Sequence, residues 1–135
     1  MAGIENIRAA LETALAGVSP ALSTAWENSD FTPVSGTPYQ ACHILFSSPD
    51  NAQFGDSYQE IGYMQIDLRY PLGVGTSAIN TRAQLLRSTF ERGNSLVNGG
   101  VTTIIQKTPE VMPGRVEDDR WVVSVIVRFY SNIGA

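Results

Sequence analysis

The chain has 135 residues, a length that fits a single domain spanning 1–135 and burying roughly two thirds of the unfolded chain's surface. A formal net charge of −4 argues against nucleic acid as the principal partner, because binding to phosphate requires clustered Lys and Arg. Charged residues make up 16% of the chain, against about 25% in an ordinary soluble domain, which suggests that other subunits cover part of its surface.

Membrane insertion and secretion are not expected. No apolar run reaches the roughly 18 residues of a membrane span, and the first residues are amphipathic and include acidic side chains, unlike a signal peptide. Cys42 is the only cysteine, so no intrachain disulfide can form. We therefore expect a soluble protein made in a reducing cytoplasm, with no membrane partner.

The chain opens with an amphipathic helix. Its apolar residues recur every three or four positions, at Ile4, Ile7, Leu11 and Leu15. This helix should end near Gly17 and Pro20. Residues 23–28, which include Trp26, could form a short edge strand, and PVSGTP at 33–38 reads as a loop.

Two strands are predicted next. Residues 39–47 are rich in β-formers and apolar on both faces, which indicates a central strand. From Met64 to Tyr70 apolar and polar residues alternate, as expected of a strand with one buried face. Glycines 73 and 75 should end that strand, and the hydroxyl of Thr76 or Ser77 could cap the helix that follows.

A second helix and two strands complete the pattern. Apolar residues line one stripe of the helix, which Gly93 is placed to end. Strands are predicted at 101–107 and 120–130, with a loop between them. The predicted fold is α+β: a single mixed or antiparallel sheet of about four to five strands, with two α-helices packed on one face.

The search for chemistry gives no catalytic constellation. His43 is the only histidine, and a strand would direct it and Cys42 to opposite faces. Because zinc needs three or four convergent ligands, a packed strand histidine is the simpler interpretation. The serines lack a G-x-S-x-G context, and the glycines of PLGVGTSA match no phosphate-binding motif. We predict no catalytic residue, metal or cofactor, and no enzymatic activity.

Two segments remain as candidate interfaces. The polar loop between the first two predicted strands is longer than a hairpin connection and is either functional or merely exposed. It carries Asp50, Asn51, Phe54 and Asp56. Phe54, at its tip, is the first candidate for contact with a neighbouring subunit or another protein, and its replacement by Ala should weaken assembly without unfolding the subunit.

The second candidate is an acidic cluster, Glu117, Asp118 and Asp119, between Arg115 and Arg120. Adjacent carboxylates could bind a divalent cation, although a solvated turn before a strand is the ordinary interpretation. Ion pairs of Asp118 or Asp119 with either arginine, within the protein or across a subunit boundary, are a third possibility.

Five segments together resemble a known family: IENIRAALETALAG, AWENSDFTP, PYQACHILFSSPDN, GYMQIDLRYPLGVG and RWVVSVIVRFYSNI. They are similar to the tail terminator, or tail completion, proteins of long-tailed bacteriophages, as typified by phage lambda. The resemblance spans nearly the entire chain. It lies in the order of the predicted elements and in the short motifs W-E-N, Y-P-L-G and F-Y-S-N-I, and it includes no catalytic motif.

The resemblance implies a structural virion protein that forms a homo-oligomeric ring, a hexamer, at the head-proximal end of the tail. Such a ring caps the tail tube protein, stops tail polymerisation and presents a docking face to the head–tail connector or stopper protein. Assembly would take place in the cytoplasm of the bacterial host. DNA would only pass through the lumen, and acidic side chains there would repel its phosphates.

Two alternatives stay open. The chain could be a neck or head-completion component on the connector side of the joint, since both are small ring-forming proteins. It could also be a small-molecule-binding or hydrolytic domain, in which a sheet face would form a pocket around His43 and Tyr39.

Overall fold

The computed structural model describes residues 3–51 and 57–134. Its first half contains one helix and three strands. They are α1 (Gly3–Ala16), β1 (Thr24–Ala25), β2 (Tyr39–Phe46) and β3 (Tyr58–Pro71). The second half contains one helix and five strands. They are α2 (Ser77–Thr89), β4 (Ser95–Asn98), β5 (Val101–Ile105), β6 (Glu110–Val111), β7 (Arg115–Glu117) and β8 (Arg120–Ile133).

All eight strands belong to one sheet, in the order β1-β2-β3-β8-β5-β4, with β6 and β7 also paired to β8. The antiparallel pair β3 and β8, 14 residues each, forms its centre. The second edge of β8 is shared by three short strands in succession: β7 at its start, β6 in the middle and β5 towards its end. The β1–β2 pair is parallel, so the sheet is mixed.

The predicted four-to-five-stranded α+β fold is wrong. The protein is mostly sheet, with eight strands in a curled mixed sheet and two helices among the described residues. The prediction missed β4, β6 and β7 because strands of two to four residues are too short to show a periodicity. They exist because the free edges of β5 and β8 supply their hydrogen-bonding partners, and sequence patterns do not reveal those pairings.

One hydrophobic core gathers side chains from both helices and from β2, β3, β5 and β8. Its largest fully buried members include Phe90 and Phe129. Phe129 packs edge-on against Phe46, with ring centroids 5.7 Å apart. Gly62 lies between these two residues in the sheet, and a Cβ there would sit 2.2 Å from the Leu45 carbonyl oxygen and 2.9 Å from the Phe129 ring. The sheet therefore needs a glycine at this position.

The ends of α2 differ from the sequence prediction in detail. Thr76 is the residue before the first turn, but its hydroxyl makes no capping hydrogen bond. The helix ends at Thr89, and Gly93 lies in the following turn with a left-handed φ of 86°. None of the described helices has the length and hydrophobicity to span a bilayer.

Candidate assembly surfaces

The first predicted surface, the loop between β2 and β3, is only partly described. Backbone hydrogen bonds of 2.8 and 2.9 Å join Asp50 to Gln59 and close the base of the loop. Asp50 and Asn51 are exposed there. Phe54 and Asp56 lie outside the described residues, so their role in an interface remains a prediction.

The second predicted surface is the β7–β8 hairpin. Glu117 pairs with Arg120 across a two-residue turn made by Asp118 and Asp119. Asp118 adopts a left-handed φ of 53°, which aspartate tolerates better than most residues. Both turn aspartates are exposed, so this part of the acidic cluster is a solvated turn at the tip of a hairpin, whereas Glu117 belongs to β7. No group of three or more potential metal ligands occurs within 3–51 and 57–134.

Arg120 is buried despite its position beside this turn, with 4% of its surface exposed. Its guanidinium donates to the carbonyl oxygens of Val34, at 2.8 Å, and Thr37. It also lies 5.0 Å from the centre of the Tyr39 ring. A weaker ion pair of 3.8 Å joins it to Asp119. Arg120 therefore fastens the loop of residues 33–38 to the sheet.

Glu117 joins two strands through two arginines. Arg115 Nε donates to one carboxylate oxygen at 2.6 Å, and Arg69 Nη2 lies 3.0 Å from the other. The hydrogen bonds from Arg115 and then Arg69 lower the pKa of Glu117 from its ordinary value. The first pair could be expected from the sequence, since residues two apart on a strand share a face. No such pattern indicates Arg69, which lies far away in the chain.

From Arg115 a chain of hydrogen bonds continues across the sheet. Arg115 Nη1 donates to Ser124 Oγ at 3.0 Å, and Ser124 Oγ donates to Asp67 Oδ1 at 2.6 Å. Gln65 donates to the same oxygen at 3.0 Å, and His43 Nε2 lies 3.9 Å from Asp67 Oδ2. The hydrogen bonds thus connect β7, β8 and β3 on the face opposite the core, and His43 of β2 lies beside them. We call this face the outer face.

The outer-face network contains Ser, His and Asp, but their arrangement differs from that of a catalytic triad. In a triad the histidine lies between the serine and the aspartate and removes the serine proton. Here Ser124 donates directly to Asp67, which is buried, and Arg115 donates to the same hydroxyl. The arrangement holds strands together and does not place the histidine beside the hydroxyl.

The W-E-N segment at Trp26, Glu27 and Asn28 has a structural role that sequence reasoning missed. The indole of Trp26 packs against the hydrophobic core. Glu27 Oε1 accepts the backbone N–H of Ile44 at 2.8 Å and the Arg8 guanidinium at 2.9 Å. Burial alone would raise the pKa of Glu27, but the Ile44 amide and Arg8 outweigh it, so the pKa is lowered. Asn28 turns the chain with a left-handed φ of 54°.

Comparison with known families decides the class of protein. A family model described as phage tail terminator protein matches residues 6–129. The chain belongs to this family. The phage tail terminator family consists of virion structural proteins, so the protein is a virion-associated tail component that interacts with other parts of the particle. The resemblance noted from the sequence is confirmed.

Solved structures share the fold. One solved structure superposes with a TM-score of 0.80 at 22% identity, over 100% of this chain and 99% of its own. A chain from the virion of a native gene transfer agent particle gives a TM-score of 0.65 at 13% identity, over 97% and 98%. Identities this low establish the fold alone. Comparison with curated proteins gives no significant match.

Proposed function

We propose that the protein forms a ring of its own copies that caps the tail tube, stops tail polymerisation and offers a docking surface to the head connector. The observation that carries this proposal is the family match over residues 6–129, nearly the whole chain. Six copies per ring and a head-proximal position in the tail follow from the family resemblance. No enzymatic step is needed for this role.

The exposed features of the fold support a role in assembly. The β7–β8 hairpin carries exposed charges at its tip but is anchored at its base by Arg120 and by the outer-face network. A fixed hairpin loses little conformational entropy when a partner binds it. The turn residues Asp118 and Asp119, with the loop containing Phe54, are therefore the surfaces that we assign to the tube and connector contacts.

The charges of the outer face are compatible with a channel wall along which DNA slides without binding. Its arginines have carboxylate partners: Arg69 and Arg115 contact Glu117, and Arg128 donates to Glu110 at 2.9 Å. Paired guanidiniums offer little net attraction to phosphate, and the whole chain is acidic. DNA is thus proposed to cross the lumen of the ring as a transient passenger.

Co-expression with the cognate tail tube protein tests the proposal. With this chain present, electron microscopy should show tubes of limited length with extra ring density at one end. Without it, the tubes should be longer and have bare ends. Tube lengths that do not depend on the protein, together with ends that carry no added density, would contradict the capping function.

Asp118→Asn with Asp119→Asn, and separately Phe54→Ala, then test the assigned surfaces. Each variant should cap fewer tubes and keep the melting temperature of the natural protein. The turn aspartates are exposed, and Phe54 is assigned to the interface and not to the core. A lowered melting temperature for Phe54→Ala with normal capping would instead identify Phe54 as a core residue.

A further inference from the structure

The curled sheet has an open edge at each end. At one end β1 covers only Gln40 and Ala41, although β2 continues to Phe46. At the other end lies β4, which pairs with β5 on one side only. Within the described residues, no strand pairs with the rest of β2 on its outer side or with the outer side of β4. Unpaired edges of this kind are templates for another strand.

The open edge of β2 is occupied by a side chain in place of a strand. Gln40 N–H donates to the Ser23 carbonyl at 2.9 Å, so the even-numbered residues of β2 direct their amides to this edge. Four residues further along β2, the amide of Ile44 points to the same edge, and its acceptor is a Glu27 carboxylate oxygen at 2.8 Å. Glu27 thus stands where the carbonyl of a neighbouring strand would be, and Arg8 holds it there.

Helix α1 packs against β4, but among the described residues no side chain forms a hydrogen bond with the backbone of Ser95 or Val97. Both turn residues, Gly99 and Gly100, have positive φ, as in a type I′ hairpin. In such a hairpin the two residues that flank the turn, here Asn98 and Val101, form a hydrogen-bonded pair. Ser95 and Val97 therefore direct their backbone groups away from β5. Natural edges are usually blunted by charges or proline, yet residues 95–104 contain neither. The Val97 side chain is 67% exposed.

We propose that β4 of one copy pairs with the open edge of β2 in a second copy, and that Glu27 is a latch which yields the Ile44 amide to a β4 carbonyl. The proposal rests on the proposed ring and names the contact that would close it. In the free subunit the latch satisfies the exposed amide. During assembly a backbone carbonyl replaces the carboxylate, so the number of hydrogen bonds to Ile44 is conserved.

The directions of the strands fit this contact. Each neighbouring pair from β2 through β3, β8 and β5 to β4 is antiparallel, so β2 and β4 run the same way. A second copy's β4 would therefore lie parallel to β2, in line with β1, which also pairs with β2 in parallel. Because the contact joins two different edges, it is head-to-tail, and such contacts close into rings under rotation.

The side chains fit as well. Leu45 pairs with Tyr63 and so lies on the outer face. Ser95 pairs with Ile104, and Ile104 pairs with Tyr130 on the same outer face. Val97 is two residues after Ser95 in the strand, so it lies on the outer face as well. Leu45 is 45% exposed and Val97 67%. Joining the two edges would bring these apolar side chains together on one continuous face and remove both from water.

Val97→Pro tests the pairing because it removes the outward N–H and leaves the β4–β5 ladder intact. Val97→Thr is the matched control, since it keeps the branched shape and the amide. Ring formation is measured by native mass spectrometry on the full chain. Loss of one or two interface hydrogen bonds should raise the concentration needed for assembly about tenfold for Val97→Pro. Val97→Thr should change it by less than about threefold.

Glu27→Ala tests the latch in the opposite direction. With the edge uncovered, this variant should form rings at a concentration at least about threefold lower than the natural protein. Circular dichroism and gel filtration separate this result from aggregation, because rings have one defined mass. A ring threshold that rises or stays the same in a folded Glu27→Ala variant would refute the latch.

Cross-linking provides a readout independent of stability. Leu45→Cys and Val97→Cys single variants are mixed and treated with a short bifunctional maleimide. A Leu45–Val97 cross-link between copies should form in the mixture, and neither variant alone should give it at that yield. The natural Cys42 is buried and should not react.

The outcomes separate the two levels of the proposal. If the natural protein forms rings and caps tubes while Val97→Pro matches Val97→Thr and no Leu45–Val97 cross-link forms, the edge pairing is wrong and the capping function stands. If the natural protein forms no ring with or without tubes, both proposals fail.

Discussion

Replacing Arg120 by methionine is expected to release the loop of residues 33–38 from the sheet. Methionine fills a similar volume but cannot donate to the Val34 and Thr37 carbonyls or to the Tyr39 ring. Hydrogen bonds from a charged donor contribute about 1.5–3 kcal/mol each, and a cation–π contact about 0.5–1 kcal/mol. Because the released loop can be hydrated, we expect a loss of about 3 kcal/mol of unfolding free energy, slightly below the sum of the lower values.

Urea denaturation followed by tryptophan fluorescence measures this loss, and the melting temperature should fall by about 10 °C for a chain of this size. Asp119→Asn is the matched control. It removes only a 3.8 Å ion pair from a largely exposed carboxylate, so its effect should stay below about 0.5 kcal/mol. A methionine variant as stable as this control, with the loop no more sensitive to protease, would refute the assigned role of Arg120.

Three further predictions address the sheet, its edge and the lone thiol. Gly62→Ala should cost about 2–3 kcal/mol in urea denaturation, because a Cβ meets the Leu45 carbonyl and the Phe129 ring, whereas Gly134→Ala should cost almost nothing. The lowered pKa of Glu27 contributes stability above its ordinary value of 4.5, and this contribution is lost as the pH falls through the lower folded value. Glu27→Gln should therefore flatten the pH dependence of stability in the acid range, and an unchanged acid slope would contradict the Ile44 contact. Burial raises the pKa of Cys42 to about 12, so alkylating reagents at pH 8 should label it only as fast as the protein unfolds.

Sequence periodicity was sufficient for elements that have one buried face over several residues. Both helices and the strands at β2, β3, β5 and β8 were predicted within a few residues of their ends, except that β3 begins at Tyr58 and not at Met64. In each, local burial produces a repeating pattern. The short strands differ because they depend on a partner. Glu110 and Val111, for example, form a strand only by pairing with Ile126 and Val125.

The candidate sites show the same limit at the level of side chains. Arg120 stands beside carboxylates in the sequence, so a surface ion pair was one of its possible roles. Its main partners, Val34 and Thr37, are 86 and 83 positions away. Glu27 likewise satisfies an amide 17 positions later. Neither contact leaves a local pattern, because each depends on which strand lies at which edge of the sheet.

The unequal edges of β8 should give its amides two different lifetimes. One edge pairs along its whole length with β3, whereas the other is divided among β5, β6 and β7, each held by only a few bonds. In hydrogen exchange, amides directed at β3 should open only with global unfolding, and those directed at the three short strands should exchange through separate local openings. Amides of this single strand would thus show both slow exchange, which requires global unfolding, and faster exchange, which requires only local opening.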